Sequence, residues 1–201
     1  MQALLFEVTP NEGHEEHYFR HADKLRPILM EQDGLIDIER FKSQTHTDVI
    51  LSHSIWQDEA SLARWRTNGE HHKSQTAGRY KHFKDYRIRI AHVIQQYDES
   101  TELREWPREN LYNNSEASSD RYVVITRTNE QPKHLTCGVF KSVTNVNSFV
   151  IVQEFDSEDD GRSEIARAQK DPHSTSALLG VVSRDYGMHN RTEAPQFFKP
   201  V

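Results

Sequence analysis

The stretch LARWRTNGEHHKSQ (residues 62–75) sets Trp65 six and seven positions ahead of two adjacent histidines, His71 and His72. Imidazole titrates near neutral pH. A neutral ring beside a bound phenol or carbon acid could therefore take its proton as a general base. The plainer reading is that Trp65 packs in a core with its N–H on some acceptor, next to a wet loop carrying the histidines. A second group lies on the strand-like segment before it. His53 shares one face with Val49, Leu51 and Ile55, and its strand leads into Trp56. His92 shares a face with Ile88, Ile90 and Ile94 in the same way, and both read either as hydrogen-bonded core histidines or as groups facing a cavity.

Other candidate chemistry is weaker. In HEEHYFRH, His14, His17 and His21 fall on one side of a helix, and His17 and His21 have the i, i+4 spacing that can hold zinc. The motif is not HExxH and no cysteine or ordered carboxylate set accompanies it, so a solvated helix flank is expected. Cys137 reads as a buried thiol in a strand. No glycine-rich phosphate loop or dinucleotide fingerprint is present, so no bound nucleotide or flavin is implied.

The elements that must position these groups can be read from periodicity. Residues 2–8 alternate like a strand, and Tyr18, Ala22, Leu25 and Leu29 mark a helix over 12–31 in which Pro27 predicts a kink or a broken last turn. Asp33-Gly34 marks a turn, followed by strands at 35–41 and 48–56. Asp58 can cap a helix through Leu62 and Trp65 that stops near Gly69, and a short amphipathic piece around Tyr80 and Phe83 leads into a strand at 87–97. Strand, helix, strand, strand, helix, strand is the order of a split βαβ, or ferredoxin-like, unit, and such a sheet leaves one apolar face uncovered.

The cover is expected from the same chain. Residues 99–120 are polar, end in an Asn/Ser-rich stretch and read as a linker. Beyond it the first half recurs: RFKSQT (40–45) matches VFKSVT (139–144), Trp56 falls opposite Phe155, and AHVIQQY (91–97) matches GVVSRDY (180–186). The second copy has no room for the first helix between its strands at 122–128 and 135–141, and it has no tryptophan equivalent to Trp65. Its His173 parallels His72. The predicted fold is thus α+β, with a ferredoxin-like domain at 1–98, a linker at 99–120 and a truncated copy at 121–201. The two copies close as an internal pseudo-dimer around a shared hollow, and a further homodimer stays open.

Bulk properties narrow the function classes. In 201 residues there are 31 acidic and 25 basic side chains, a formal charge of −6, which gives no electrostatic reason to expect a nucleic-acid partner. The single cysteine excludes an internal disulfide. No apolar run approaches the ~20 residues of a bilayer span, so no membrane partner is expected. The opening MQALLFEV reads as a strand and not a signal peptide, so a cytoplasmic location is expected.

Residues 54–93, SIWQDEASLARWRTNGEHHKSQTAGRYKHFKDYRIRIAHV, resemble the antibiotic biosynthesis monooxygenase family. The likeness lies in a tryptophan after the third strand, a helix ending in "AWR"-like ARWR, a histidine soon after, and the GR…F…Y.(I)R(I)A tail. The ending VVSRDYGMHNRTEAPQFF (181–198) is similar to the tail of single-domain members. The resemblance implies a dimeric α+β barrel and oxidation of a small aromatic or quinol-like compound by O2 without cofactor. Trp65 would then be the binding wall, His71 or His72 the base, and His53, Trp56 and Phe83 the lining. It also raises haem as an alternative. Against haem, relatives that open it place their ligand about ten residues after the tryptophan, where this chain has Gln75, and an asparagine on the first strand, where the nearest residue is Glu7. Quinone-forming members carry asparagine at the position of Ser61. A non-catalytic small-molecule binding or stress-response protein is the alternative from another class.

Overall fold

A computed structural model describes residues 1–98, 101–107, 121–133 and 138–195. The chain runs β1 (Gln2–Pro10), α1 (Glu15–Met30), β2 (Leu35–Ser43), β3 (Ile50–Trp56), α2 (Glu59–Thr67), α3 (Gly69–Ala77), a π-helical turn (Gly78–His82) and β4 (Phe83–Asp98). It continues through β5 (Thr101–Glu105), β6 (Tyr122–Thr128), β7 (Val139–Ser142), β8 (Phe149–Phe155), α4 (Glu158–Lys170) and β9 (Ser174–Gly187). The nine-stranded antiparallel sheet has the order β1-β3-β2-β7-β8-β6-β9-β4-β5, and β1 also pairs with β4. Eight strands therefore close into a barrel, with β5 added outside on β4.

Both halves pair their strands in the same order, β2-β3-β1-β4 and β7-β8-β6-β9. The seams between them have reciprocal registers when the repeated segments are superposed. At one seam Phe41 faces Ser142 while Ser43 faces Phe140, with Lys42 opposite Lys141 between them. At the other, Ala91 faces Val182 while Val93 faces Gly180, with His92 opposite Val181. The loops after β2 and β7 repeat the same capping: Ser43 Oγ accepts from His46 N and Ser142 Oγ from Asn145 N, both at 3.0 Å.

The barrel interior is filled. Ala3, Leu5, Phe41, Leu51, Ala91 and Val93 meet Val123, Ile125, Phe140, Val150, Leu178 and Val182 in one buried cluster. The expected shared hollow is absent at this place because inward aliphatic side chains from both halves interdigitate across it. Ion pairs bind the halves further: Arg127 on β6 reaches Asp37 and Glu39 on β2, and Arg89 on β4 reaches Glu154 on β8.

Several boundaries differ from expectation. The helix continues through Pro27 to Met30 without a broken last turn. α2 stops at Thr67, near Gly69 as expected, but a second helix follows at once. Asn68 accepts from the backbone N–H groups of Glu70 and His71, so Gly69 opens α3, and the twin histidines sit on a helix and not in a loop. Residues 101–105, read as linker, form β5. Between β6 and β7 no helix occurs among the described residues, as expected, and Cys137 lies outside them. Among the described residues no helix is long and apolar enough to cross a membrane.

Candidate active site

The cavity lies on the outer wall of the barrel, under α1, α2 and α3, with a volume of about 200 Å³. Its floor is two cross-strand rows set by the registers. Arg40, Ser52, Phe6, Ile88 and Tyr186 form one row, and Ile38, Ser54, Leu4, Ile90 and Arg184 the next. All of these line the cavity. Its roof is Tyr18, Ala22 and Leu25 of α1, Leu62 and Trp65 of α2, and His71 and Gln75 of α3. β9 thus brings Arg184 and Tyr186 from the second half into a cavity otherwise built by the first.

The local sequence explains this roof. Asp58 accepts from Ser61 N (2.7 Å) and Ser61 Oγ (2.8 Å), which starts α2 in the direction that turns Leu62 and Trp65 inward. Ser61 is therefore occupied in the cap and does not line the cavity. Gly34, at φ +87°, lies where a Cβ would meet Ser61 Oγ at 2.2 Å, so the turn into β2 and the start of α2 need a glycine there. In the second half α4 sits directly on the sheet. A Cβ at Gly161 would lie 2.5 Å from Leu179 Cδ1, and the space is filled by Ile165, Ala168, Leu179, Tyr97 and Tyr122.

Trp65 and His71 form one unit. Their rings stack at 4.1 Å between centroids and 12° between planes, and His71 Nδ1 lies 2.9 Å from the Trp65 carbonyl. A carbonyl only accepts, so Nδ1 carries the proton and Nε2 keeps its lone pair. Burial pushes the His71 pKa down to about 4, with the Trp65 hydrogen bond opposing, so the ring is neutral at pH 7. Trp56 is fully buried, donates from Nε1 to Ser54 Oγ at 2.9 Å and closes one end of the cavity, while Phe83 lines it from β4.

Two expected site residues are elsewhere. His53 is opposite Leu5 and Glu39, on the inward face of the barrel wall, and its Nδ1 is 3.1 Å from the Leu4 carbonyl. It is 1% exposed, and burial followed by the Arg127 charge lowers its pKa to about 4. It is a satisfied core histidine and not a lining residue, because the strand face it shares with Leu51 turns into the filled barrel. His72 is next to His71 on α3, but consecutive helical residues point about 100° apart, and His72 is not among the lining side chains. His92 is likewise in the wall, bonded to Gln2 and the Pro107 carbonyl.

Sequence reasoning missed the polar residues of this cavity. Glu59 of α2 and Arg184 of β9 form a buried ion pair at 2.5 Å. Arg40 and Ser52 act on the Tyr18 hydroxyl by hydrogen bonding, and burial, opposed by the Arg40 charge, raises the Tyr18 pKa. The sequence signal was phase: Arg40 shares a strand face with Ile38. His17, His21 and His82 sit at the rim, where the His82 ring stacks on His17 at 5.0 Å. No group of three or more His, Cys, Asp or Glu residues able to hold a metal occurs among the described residues.

Fold and cavity together define a closed α+β barrel with a chamber of about 200 Å³ under the helices of its first half. Residues 1–77 match the family model of antibiotic biosynthesis monooxygenases. A relative from Pyricularia oryzae (strain 70-15), named jasmonate monooxygenase ABM, is 28% identical over 225 aligned residues covering 100% of this chain and 99% of that protein. Among solved structures, an aldoxime dehydratase in complex with butyraldoxime is similar in fold, with a TM-score of 0.55, 10% identity, and coverage of 90% of this chain and 79% of that one. A second aldoxime dehydratase structure gives a TM-score of 0.54 at 9% identity over 90% of this chain and 80% of its own.

Proposed function

We propose that this protein is a monooxygenase that oxidises a small, mainly apolar compound with O2, without a bound cofactor, in the chamber under α1–α3. The observation that carries the proposal is the Trp65–His71 stack, which faces an apolar chamber in a monooxygenase-family domain. Trp65 is the wall against which a flat aromatic or quinol-like substrate stacks, with Trp56 and Phe83 completing it. The His71 Nε2 lone pair accepts a hydrogen bond from a substrate O–H or acidic C–H. Burial makes the ring a weak base, and a developing anion beside it stabilises the imidazolium and strengthens it.

The electron balance closes without an external reductant for a methylene that becomes a carbonyl. One oxygen of O2 enters the product, and the other leaves as water with the two hydrogens the substrate loses. The reciprocal registers of the two seams support the idea that the second half is a reduced copy of the first. We assign it the tasks of closing the barrel and supplying Arg184 and Tyr186. Glu7, which stands nearest the first-strand asparagine of haem-opening relatives, is paired with Arg89.

Oxygen uptake with an anthrone and hydroquinone panel tests the proposal. Activity is expected in the wild type, with a loss in Trp65→Phe and His71→Gln and little change in His72→Ala. Substrate-induced thermal stabilisation with no oxygen uptake would instead identify a binding protein. A second reading, an alicyclic carboxylic acid like the jasmonate of the Pyricularia relative's name, is favoured by that full-length similarity and by the arginines of the lining.

A further inference from the structure

The chamber has an apolar body and two cationic edges at opposite ends of its floor. β2, β3, β1, β4 and β9 lie side by side, so four strand spacings, about 19 Å measured along the curved sheet, separate Arg40 from the Arg184–Tyr186 edge. The two edges differ in what they hold. Arg184 is engaged with Glu59 across the roof. The other arginines of the neighbouring wall are also matched: Arg89 with Glu7, and Arg127 with Asp37 and Glu39. Among the described residues Arg40 has no carboxylate partner, and its Nε is buried without a hydrogen bond.

Its neighbours are donors or neutral groups. Ser52 lies opposite it on β3, Ile38 precedes it on the same face of β2, and the Tyr18 hydroxyl reaches it from α1. Glu15 of α1 is held by Lys42, two residues along the strand from Arg40. His17 and His21 of α1 face the same side of the chamber. A lone guanidinium beside two hydroxyls, at the end of an apolar chamber, matches an anionic head on an apolar body.

We infer that the Arg40 corner, with the Tyr18 and Ser52 hydroxyls, binds the carboxylate of a small amphipathic acid, while the acid's apolar part extends along Phe6, Ile88 and Leu25 toward Trp65 and His71. The inference rests on the chamber being the substrate site. It narrows the substrate class to carboxylic acids with a compact hydrocarbon body and separates the anchoring end of the chamber from its reacting end.

The test is calorimetric binding of jasmonic acid and of its uncharged methyl ester to the full-length protein, wild type and Arg40→Met. The acid is expected to bind wild type about 10- to 100-fold more tightly than the ester, the value of a charge-assisted hydrogen bond. In Arg40→Met that preference disappears while ester affinity holds, which also shows that the variant is folded. Tyr18→Phe keeps the packing and is expected to reduce the preference part of the way. Equal binding of acid and ester to wild type, equal weakening of both by Arg40→Met, or no binding of the acid overturns the inference. Turnover of an uncharged hydroquinone by a protein that ignores the acid would overturn it while leaving the oxygenase reading intact. Loss of hydroquinone turnover in no Trp65 or His71 variant would sink that reading instead.

Discussion

Replacing Arg184 with Met strands a charge in the wall between the two halves, and the size of the effect follows from the geometry. Glu59 and Arg184 meet at 2.5 Å with side chains only 6% and 11% exposed. At an effective dielectric near 20, opposite charges whose centres are ~4 Å apart attract by about 4 kcal/mol. Removing one partner of such a buried pair costs about 3–5 kcal/mol, because the remaining carboxylate stays largely desolvated without its counter-charge. For a domain whose total stability is roughly 5–15 kcal/mol, that is a large share, and it lowers the melting temperature by about 10 °C. The assay is equilibrium urea unfolding at pH 7 of Arg184→Met, Glu59→Gln and the double variant. The double variant removes the stranded charge and is expected to regain at least half of the Arg184→Met loss. A loss below about 1 kcal/mol in Arg184→Met, or a double variant no more stable than that single one, would refute the view that this pair locks β9 to α2.

Other outcomes follow from the same structure. The His53 pKa falls from 6.5 to about 4 on folding, so the unfolded chain binds the proton more readily. Stability is then full above pH 6.5 and declines by about 3 kcal/mol as pH falls toward 4. His53→Asn is expected to remove that part of the acid slope in urea titrations at pH 7 and 4.5, and an unchanged slope would mean the ring is not buried neutral. Gly78 faces Phe83, whose Cε2 would lie 2.3 Å from an added Cβ. Gly78→Ala should therefore push Phe83 into the chamber, cost about 1–3 kcal/mol and weaken ligand-induced stabilisation, all readable by thermal melts with and without ligand.

Much of the fold was legible because each device is local. The alternation of β1–β4, the Asp58 cap and the 40–45/139–144 repeat fix strands, a helix start and a seam from neighbouring residues alone. The site was half legible. Trp65, Trp56, Phe83 and His71 do converge, but His71 and His72 looked equivalent until α3 made them helical, and the 100° step between them then separated one from the chamber. His53 looked like a cavity residue because alternation assigns a face without saying what covers it.

What the amino-acid order determined by itself was which residues share a strand face, where helices begin, and that the segment 139–144 resembles 40–45. It could not choose which side of the wall would be hollow, since both faces are apolar: Ala3 and Leu5 on one, Leu4 and Phe6 on the other. Tertiary packing made that choice. Inward side chains of two halves fill the barrel, α4 settles onto its sheet through Gly161, and α1–α3 leave a gap above the sheet. The edges of that gap, Arg40 at one end and Arg184 and Tyr186 at the other, come from strands far apart in sequence, and only closure of the barrel brings them to one floor.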